Sequence, residues 1–219
     1  MSEQPFQPIY LLADSQPLMG KTPQGEARLA AIRQRLTSDD PLAVYIGASN
    51  GDEPAFYQLF CAGMAQMGVQ NCQHVAYPYT ETDMTHVQKA DLILLAGGDT
   101  FRGWSCLCEY GLDQLLLDRY RAGCLLMGVS AGAIQLGQGS VQDGRFVPML
   151  GLVPWMIDAH DEANQWKSLQ VSRQFAPANC PALGIVTASA LVYFGEEQYE
   201  LIGEDCVMYP MPKDQVWKH

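Results

Sequence analysis

Short apolar runs alternate with amphipathic stretches between residues 8 and 130 of the chain. Five runs of four to seven residues have the length of β-strands, and they cover residues 8–13, 42–48, 73–76, 90–96 and 124–129. The run at 90–96 is nearly continuous in apolar side chains, which is typical of a strand covered on both faces. Strands that alternate with helices in this way predict a mostly parallel sheet with helices on both sides.

The amphipathic stretches predict one helix over 53–67 and another near 109–121, because apolar side chains recur there at three- and four-residue spacing. These positions are Phe56, Phe60, Met64 and Met67 in the first helix and Leu112, Leu115, Leu116 and Tyr120 in the second. Asp52 is the predicted N-cap of the first helix, and Gly68 is the predicted residue just past its carboxyl end.

The pattern changes after about residue 150. A strand over 152–158 and a helix over 161–173 are followed by short strands at 183–187, 190–194, 199–202 and 206–209. Turns near Gly195 and Gly203 predict a hairpin-rich carboxyl-terminal edge. The predicted fold class is therefore a three-layer α/β/α sandwich with a mostly parallel, mixed sheet, and residues 1–219 are expected to form one α/β domain.

Composition narrows the choice of function. The 13 Lys and Arg residues stand against 24 Asp and Glu, a formal charge of −11, which argues against a nucleic-acid-binding surface. No run approaches 18 apolar residues, so no membrane span is predicted. The first residues contain no basic segment followed by an apolar run, which is the pattern of a secretory signal peptide. We therefore expect a cytoplasmic protein whose seven cysteines are reduced. Cys106 and Cys108 are spaced poorly for a metal site. The sequence leaves open whether the chain forms a homo-oligomer.

A strong local signal for chemistry lies at residues 128–132, which read Gly-Val-Ser-Ala-Gly. This has the G-x-S-x-G form of a nucleophile elbow, in which a sharp strand-to-helix turn lifts the serine hydroxyl out of the sheet. Ser130 would be the nucleophile, and the N–H of Ala131 a donor to the oxyanion. The alternative is an ordinary glycine-rich turn in which Ser130 caps the following helix.

The next signal is the Gly97-Gly98-Asp99-Thr100 turn after the run at 90–96. Sites in open α/β sheets form outside the carboxyl ends of the strands, and the N–H of Gly98 could be a second oxyanion donor. A tight turn capped by Asp99 or Thr100 is an equally good interpretation. Phosphate binding is less favoured, because the chain has no P-loop motif.

A serine nucleophile needs a base to take its proton. Only four histidines are present, and His160 follows a predicted strand at its carboxyl end. His160 is therefore the best candidate for the base.

Five blocks of this sequence, in this order and spacing, resemble the dipeptidase E and cyanophycinase group of serine peptidases, whose domain is similar to that of class I glutamine amidotransferases. The blocks are residues 45–49, 96–100, 128–133, 158–160 and 183–192. The resemblance covers most of the chain. It implies a class I glutamine amidotransferase-like fold, Ser130 as nucleophile, His160 as general base, and oxyanion donors near Gly98 and Ala131.

The chain departs from that pattern where the family carries the acid that orients the histidine. The corresponding positions read Val186 and Thr187. Thr187 is a candidate partner of His160 because it can accept a hydrogen bond from the imidazole, but it carries no charge to stabilise an imidazolium. Glu162 or Asp158, each two residues from His160, could supply the missing carboxylate. The residues after His160 also differ from the family's, so specificity for aspartyl dipeptides or cyanophycin is not expected to carry over.

The leading hypothesis is a serine hydrolase that cleaves a peptide or small amide bond and needs no metal or organic cofactor. The first alternative is a catalytically weakened or inactive member that binds a small ligand or partner, which the loss of the acid at Thr187 favours. Ammonia release from glutamine is less favoured, because that chemistry normally uses a thiolate and the elbow residue is Ser130.

Overall fold

The computed structural model describes residues 7–177, 180–196 and 198–209. The first six residues, on which the expected location in the cytoplasm was based, lie outside these ranges, as does His219, one of the four histidines. The first half of the chain forms β1 (Ile9–Leu12), α1 (Gln16–Met19), α2 (Ala31–Arg35), β2 (Leu42–Ile46), α3 (Pro54–Gln66), β3 (Asn71–Val75), α4 (Glu81–Lys89), β4 (Leu92–Leu95), α5 (Thr100–Glu109), α6 (Leu112–Arg121) and β5 (Leu125–Val129). The second half forms α7 (Ala131–Leu136), β6 (Gly139–Gln142), β7 (Arg145–Pro148), β8 (Met156–Ala159), α8 (Lys167–Ser172), β9 (Ala182–Ile185), β10 (Ala190–Gly195), β11 (Gln198–Ile202) and β12 (Val207–Tyr209).

A seven-stranded mixed sheet forms the centre of the fold, in the order β11-β10-β1-β5-β4-β2-β3. The five strands from β1 to β3 in that order run parallel, and β10 and β11 add an antiparallel hairpin at one edge. All five predicted apolar runs become strands of this sheet, and the hairpin edge is confirmed.

Side chains alternate between two apolar layers, one on each face of the sheet. In β4, Ile93 and Leu95 enter the layer covered by α4, α5, α6 and α7, whereas Leu92 and Leu94 enter the layer covered by α1, α2 and α3. All four side chains are buried, and burial contributes about 1.5–3 kcal/mol for each leucine or isoleucine. This arrangement confirms the predicted α/β/α sandwich.

Two smaller sheets pack near α7, the helix that follows β5. Strands β8, β9 and β12 form a three-stranded sheet, and β6 pairs with β7 in a hairpin that the sequence analysis did not predict. The strand predicted over 152–158 begins later, at Met156. Strand β8 pairs in parallel with β9 and leads directly into His160, the candidate base.

The helix predicted over 161–173 forms only in its second part. These residues form a short 3-10 turn at Glu162–Asn164 and then α8, with Gln165 and Trp166 in the left-handed region between them. The break lets Trp166 bury its indole against Gly184, where a Cβ would lie 2.6 Å from the ring. Burial of the large aromatic ring outweighs the local preference for a continuous helix.

The ends of the helices also differ in part from expectation. Helix α3 begins at Pro54 with Glu53 as its N-cap, so the prediction of Asp52 is wrong. The Asp52 carboxylate instead accepts a hydrogen bond from the backbone N–H of Tyr77 at 3.0 Å. Gly68 follows the C-cap with φ of 80°, as predicted.

Helix α5 was missed by the periodicity, and the helix predicted near 109–121 begins only at Leu112. Within the described ranges, no helix combines the length and the apolar character needed to cross a membrane.

Candidate active site

Ser130 occupies the sharp turn between β5 and α7. Its backbone has φ of 47° and ψ of −107°, a strained conformation for a residue with a side chain, and its hydroxyl makes no capping hydrogen bond to α7. The backbone N–H of Ser130 donates to the carbonyl of Leu12 at 2.9 Å, which fixes the turn against the end of β1. This is the geometry of a nucleophile elbow rather than of a capping serine.

The two glycines of the motif are required by close backbone contacts. A Cβ on Gly128 would collide with the backbone of Gly132, and a Cβ on Gly132 would collide with the carbonyl of Leu95 in the neighbouring strand. The motif therefore reflects the tight packing of α7 onto β4 and β5.

His160 lies immediately after β8, and its Nε2 is 2.9 Å from the Ser130 Oγ. The backbone N–H of His160 donates to the carbonyl of Ile185 at 2.9 Å, at the end of β9. A left-handed backbone with φ of 48° turns the chain out of the strand at this point. The imidazole is exposed to solvent and within hydrogen-bond distance of the serine.

The glycine turn after β4 lies against the elbow. A Cβ on Gly97 would lie 3.4 Å from the Cβ of Ser130. Gly98 has φ of 131°, and a Cβ there would collide with the backbone of Ser49. The Asp99 carboxylate accepts hydrogen bonds from the N–H groups of Phe101 and Arg102, both at 2.9 Å, and so caps α5. The capping interpretation of Asp99 is therefore correct, and the turn also forms one wall of the site.

The two carboxylates proposed to support His160 have different surroundings. An oxygen of Glu162 lies 3.4 Å from the backbone nitrogen of Thr187, and hydrogen bonding by Thr187 lowers the pKa of Glu162, with a smaller contribution from His160. Burial raises the pKa of Asp158, whose carboxylate accepts the N–H of Ala159 at 2.9 Å. Glu162 is therefore the more readily ionised of the two.

Thr187, the third candidate partner of the imidazole, lies beside Glu162 at the end of β9. Within the described ranges, no hydrogen bond to the Nδ1 of His160 is formed by Thr187, Glu162 or Asp158.

A pocket of about 280 Å³ opens beside Ser130 and His160. Asp14 and Asn50 line it along with the catalytic candidates, and both were missed as site residues. Asp14 follows β1 and Asn50 follows β2, so the rule that sites form at the carboxyl ends of parallel strands could have found them. Phe56, predicted to belong to the buried face of α3, lies 46% exposed in the same pocket.

The sequence model of peptidase family S51 matches residues 11–201. The chain belongs to peptidase family S51. Membership confirms the resemblance to the dipeptidase E group and the predicted class of protein, a serine-type peptidase.

Individual relatives of this S51 chain agree with that result. It is 32% identical over 85 residues to Peptidase E from Streptomyces coelicolor, and the matched segment covers 35% of each chain. A crystal structure of a peptidase from an acI-B1 Actinobacterium superposes with a TM-score of 0.69 at 19% identity, over 91% of this chain and 88% of the other. The crystal structure of a putative Peptidase E protein from Listeria monocytogenes EGD-e superposes with a TM-score of 0.59 at 16% identity. The match covers 94% of this chain and 100% of the other. These two structural likenesses support the α/β sandwich.

Proposed function

We propose that this chain hydrolyses a peptide or small amide bond, with Ser130 as the nucleophile and His160 as the general base. The observation that carries the proposal is the 2.9 Å separation of Ser130 Oγ and His160 Nε2 at a strained elbow. A neutral imidazole at that distance can accept the hydroxyl proton as the oxygen attacks.

The proposed reaction has two halves. The Ser130 oxygen bonds to the substrate carbonyl carbon while its proton passes to His160 Nε2, and the carbonyl electrons move onto oxygen. Collapse of this intermediate breaks the C–N bond, and His160 returns the proton to the departing amine. Water then attacks the acyl-serine in the same way and releases the acid.

The backbone N–H groups of Gly98 and Ala131 are the proposed donors to the oxyanion. Ala131 follows the nucleophile directly, as the donor does in other elbows, and Gly98 lines the same pocket as Ser130. Donors of this kind contribute about 2.7–4 kcal/mol to transition-state stabilisation.

We assign the orientation of His160 to Glu162 rather than to Asp158. Glu162 lies at the end of β9 beside Thr187 and has a lowered pKa, so its charge is available near the imidazole. Asp158 is more deeply placed, and burial favours its neutral form. In this proposal the family's acid has been replaced by a carboxylate that reaches the same region from the chain just after His160.

Labelling with a fluorophosphonate tests the nucleophile. The probe is expected to modify the native protein at Ser130, as located by peptide mass spectrometry, and Ser130→Ala is expected to abolish labelling. Ser140→Ala, a matched change in the β6–β7 hairpin, is expected to label like the unmodified chain. Unlabelled native protein under conditions that label a control hydrolase would contradict the proposal.

The second candidate function is binding without efficient turnover. It is favoured by Thr187 at the position of the family's acid and by the absence, within the described residues, of a hydrogen-bonded partner for the second nitrogen of His160. Thermal-shift screening of small peptides beside a hydrolysis assay separates the two functions. Ligand-induced stabilisation with no cleavage of the same peptides would favour binding.

A further inference from the structure

The pocket beside Ser130 is built mainly from apolar side chains. Leu18 contributes from α1, Phe56 and Leu59 from α3, Leu94 from β4 and Val129 from β5. These elements come from the apolar layer on one face of the sheet, so the pocket is an open extension of the core beside the nucleophile. Apolar surface of this kind gains free energy when an apolar group displaces the water over it.

Charge in the pocket disfavours an acidic substrate group. The described lining contains no lysine or arginine, and its carboxylate is Asp14. The oxygens of Asp14 accept the backbone N–H groups of Gln16 at 2.7 Å and Ala188 at 2.8 Å, which holds the carboxylate in place. A substrate carboxylate entering this pocket would lose its hydration, find no cation and face a like charge.

The size of the pocket suits a large apolar side chain. A dry apolar cavity of about 150 Å³ is enough to bind benzene. The pocket of about 280 Å³ therefore has room for an isobutyl or benzyl group together with part of the backbone that carries it.

The position of the pocket indicates which substrate residue it receives. Ser130, Gly98 and His160 line the same space as the apolar side chains. A carbonyl carbon bonded by Ser130 Oγ carries its α-carbon one bond away and the side chain two bonds away, which is within reach of this apolar surface.

We infer that the pocket is a specificity site for an apolar side chain on the residue whose carbonyl Ser130 attacks, with leucine- or phenylalanine-like groups preferred over acidic ones. This inference rests on the proposed function. Phe56 is a specificity-determining residue in it, because its ring is 46% exposed and lines the pocket.

Aminoacyl p-nitroanilides with a common leaving group test the preference. The kcat/KM for the leucine and phenylalanine anilides is expected to exceed that for the aspartate anilide by about a hundredfold, a ratio within the reach of a hydrophobic pocket that leaves a buried carboxylate unpaired. Equal or greater kcat/KM for the aspartate anilide would overturn the inference.

Two matched variants test the location. Phe56→Arg places a cation in the pocket, and it is expected to lower kcat/KM for the leucine anilide about tenfold while raising it for the aspartate anilide. Phe175→Arg makes the same change at a phenylalanine that is also 46% exposed but lies outside the pocket lining. The Phe175→Arg variant is expected to keep the ratio of kcat/KM for the leucine and aspartate anilides found in the unmodified chain. An equal change of this ratio in both variants would contradict the location of the specificity site in the pocket.

Aminoboronic acids give a readout that does not require turnover. Ser130 Oγ would form a bond to boron, which becomes tetrahedral, while the hydroxyl proton passes to His160. The leucine analogue is expected to protect Ser130 from fluorophosphonate at a concentration at least tenfold lower than the aspartate analogue. If Ser130 is labelled but the two analogues protect it at similar concentrations, the inference is overturned and the proposed function is unaffected. If the probe does not label Ser130 at all, both the inference and the proposed function are contradicted.

Discussion

Ser130 combines a strained backbone with a hydroxyl that lies beside an imidazole. Its backbone conformation costs about 1–3 kcal/mol relative to an ordinary one, and the contacts around it must supply that energy. The hydrogen bond to Leu12 and the close approach of Gly132 to β4 are the contacts that hold the turn. A hydroxyl presented in this way needs little reorganisation before it attacks.

The charge of Glu162 is expected to matter for turnover and not for binding. Glu162→Gln should lower kcat at least tenfold with KM nearly unchanged, because the amide cannot stabilise the imidazolium that forms on His160. Glu162→Asp should restore part of the loss, and Glu81→Gln in α4 serves as the control. Steady-state kinetics with the leucine anilide measures the effects on kcat and on KM separately. An unchanged kcat in Glu162→Gln would contradict the role of Glu162 in orienting His160.

Asp158 is expected to limit stability at neutral pH. Burial raises its pKa above the ordinary value of 3.8, with Asp161 adding to the shift and His160 opposing it, so the native state retains the proton to higher pH than the unfolded state. The stability that this proton contributes is complete below pH 3.8 and is lost as pH rises through the raised pKa.

Asp158→Asn should therefore raise Tm at pH 7, and the gain should shrink towards pH 3.5, because asparagine can still accept the N–H of Ala159 without carrying a charge. Thermal unfolding at both pH values measures this difference. The exposed Asp143→Asn is the control. A lower Tm for Asp158→Asn at pH 7 would show that the charge of Asp158 stabilises the fold.

Among the secondary-structure elements, α7 does more than follow the proposed nucleophile. The side-chain N–H groups of Gln135 donate to Ser49 Oγ at 3.1 Å and to the carbonyl of Thr100 at 2.9 Å. These bonds connect α7 to the turn after β2 and to the start of α5. Because the carbonyl of Ser49 also accepts the N–H of Asp99 at 2.8 Å, the glycine turn beside Ser130 is held by the same group of contacts.

Gln135→Ala is expected to lower the free energy of unfolding by about 1–3 kcal/mol, since it leaves buried polar groups without partners. It should also slow fluorophosphonate labelling of Ser130 through displacement of the Gly98 turn. Gln138→Ala is the matched control, because it removes a hydrogen bond of 2.8 Å to Val153 outside the pocket lining. Equal labelling rates for the two variants would show that the contacts of Gln135 are structural only.

For the whole molecule, the sheet is the rigid support on which the site is assembled. Its central strands are buried on both faces, and Asp14, Gly98 and Ser130 follow them where the parallel strands end. His160 reaches the same place from β8 of the three-stranded sheet. Small displacements of these strands would therefore change the distances between groups on different loops.

Leu126→Ala in β5 is expected to lower the free energy of unfolding by about 2–5 kcal/mol, because the fully buried side chain leaves a cavity in the central sheet. Val171→Ala, at a position 55% exposed, should change it by less than about 0.5 kcal/mol. Chemical denaturation measures both. Similar losses for the two variants would contradict the assignment of β5 to the core.

Sequence analysis was most successful where structure depends on near neighbours. The apolar runs predicted the five parallel strands, and the Gly-Val-Ser-Ala-Gly motif predicted the turn at Ser130, since both follow from local periodicity and steric limits. It failed at 161–173, where burial of Trp166 against Gly184 breaks the helix. A contact between distant segments is invisible to a local pattern.

The amino-acid sequence was sufficient to indicate the sheet, the elbow and the candidate pair of Ser130 and His160. Tertiary structure alone brought Asp14, Asn50 and Phe56 to the same pocket and distinguished the surroundings of the two acids beside His160. The physical reason is that the periodicity of apolar residues indicates which side chains are buried away from water. A site depends instead on the order of the strands in the sheet and on which loops meet at their ends.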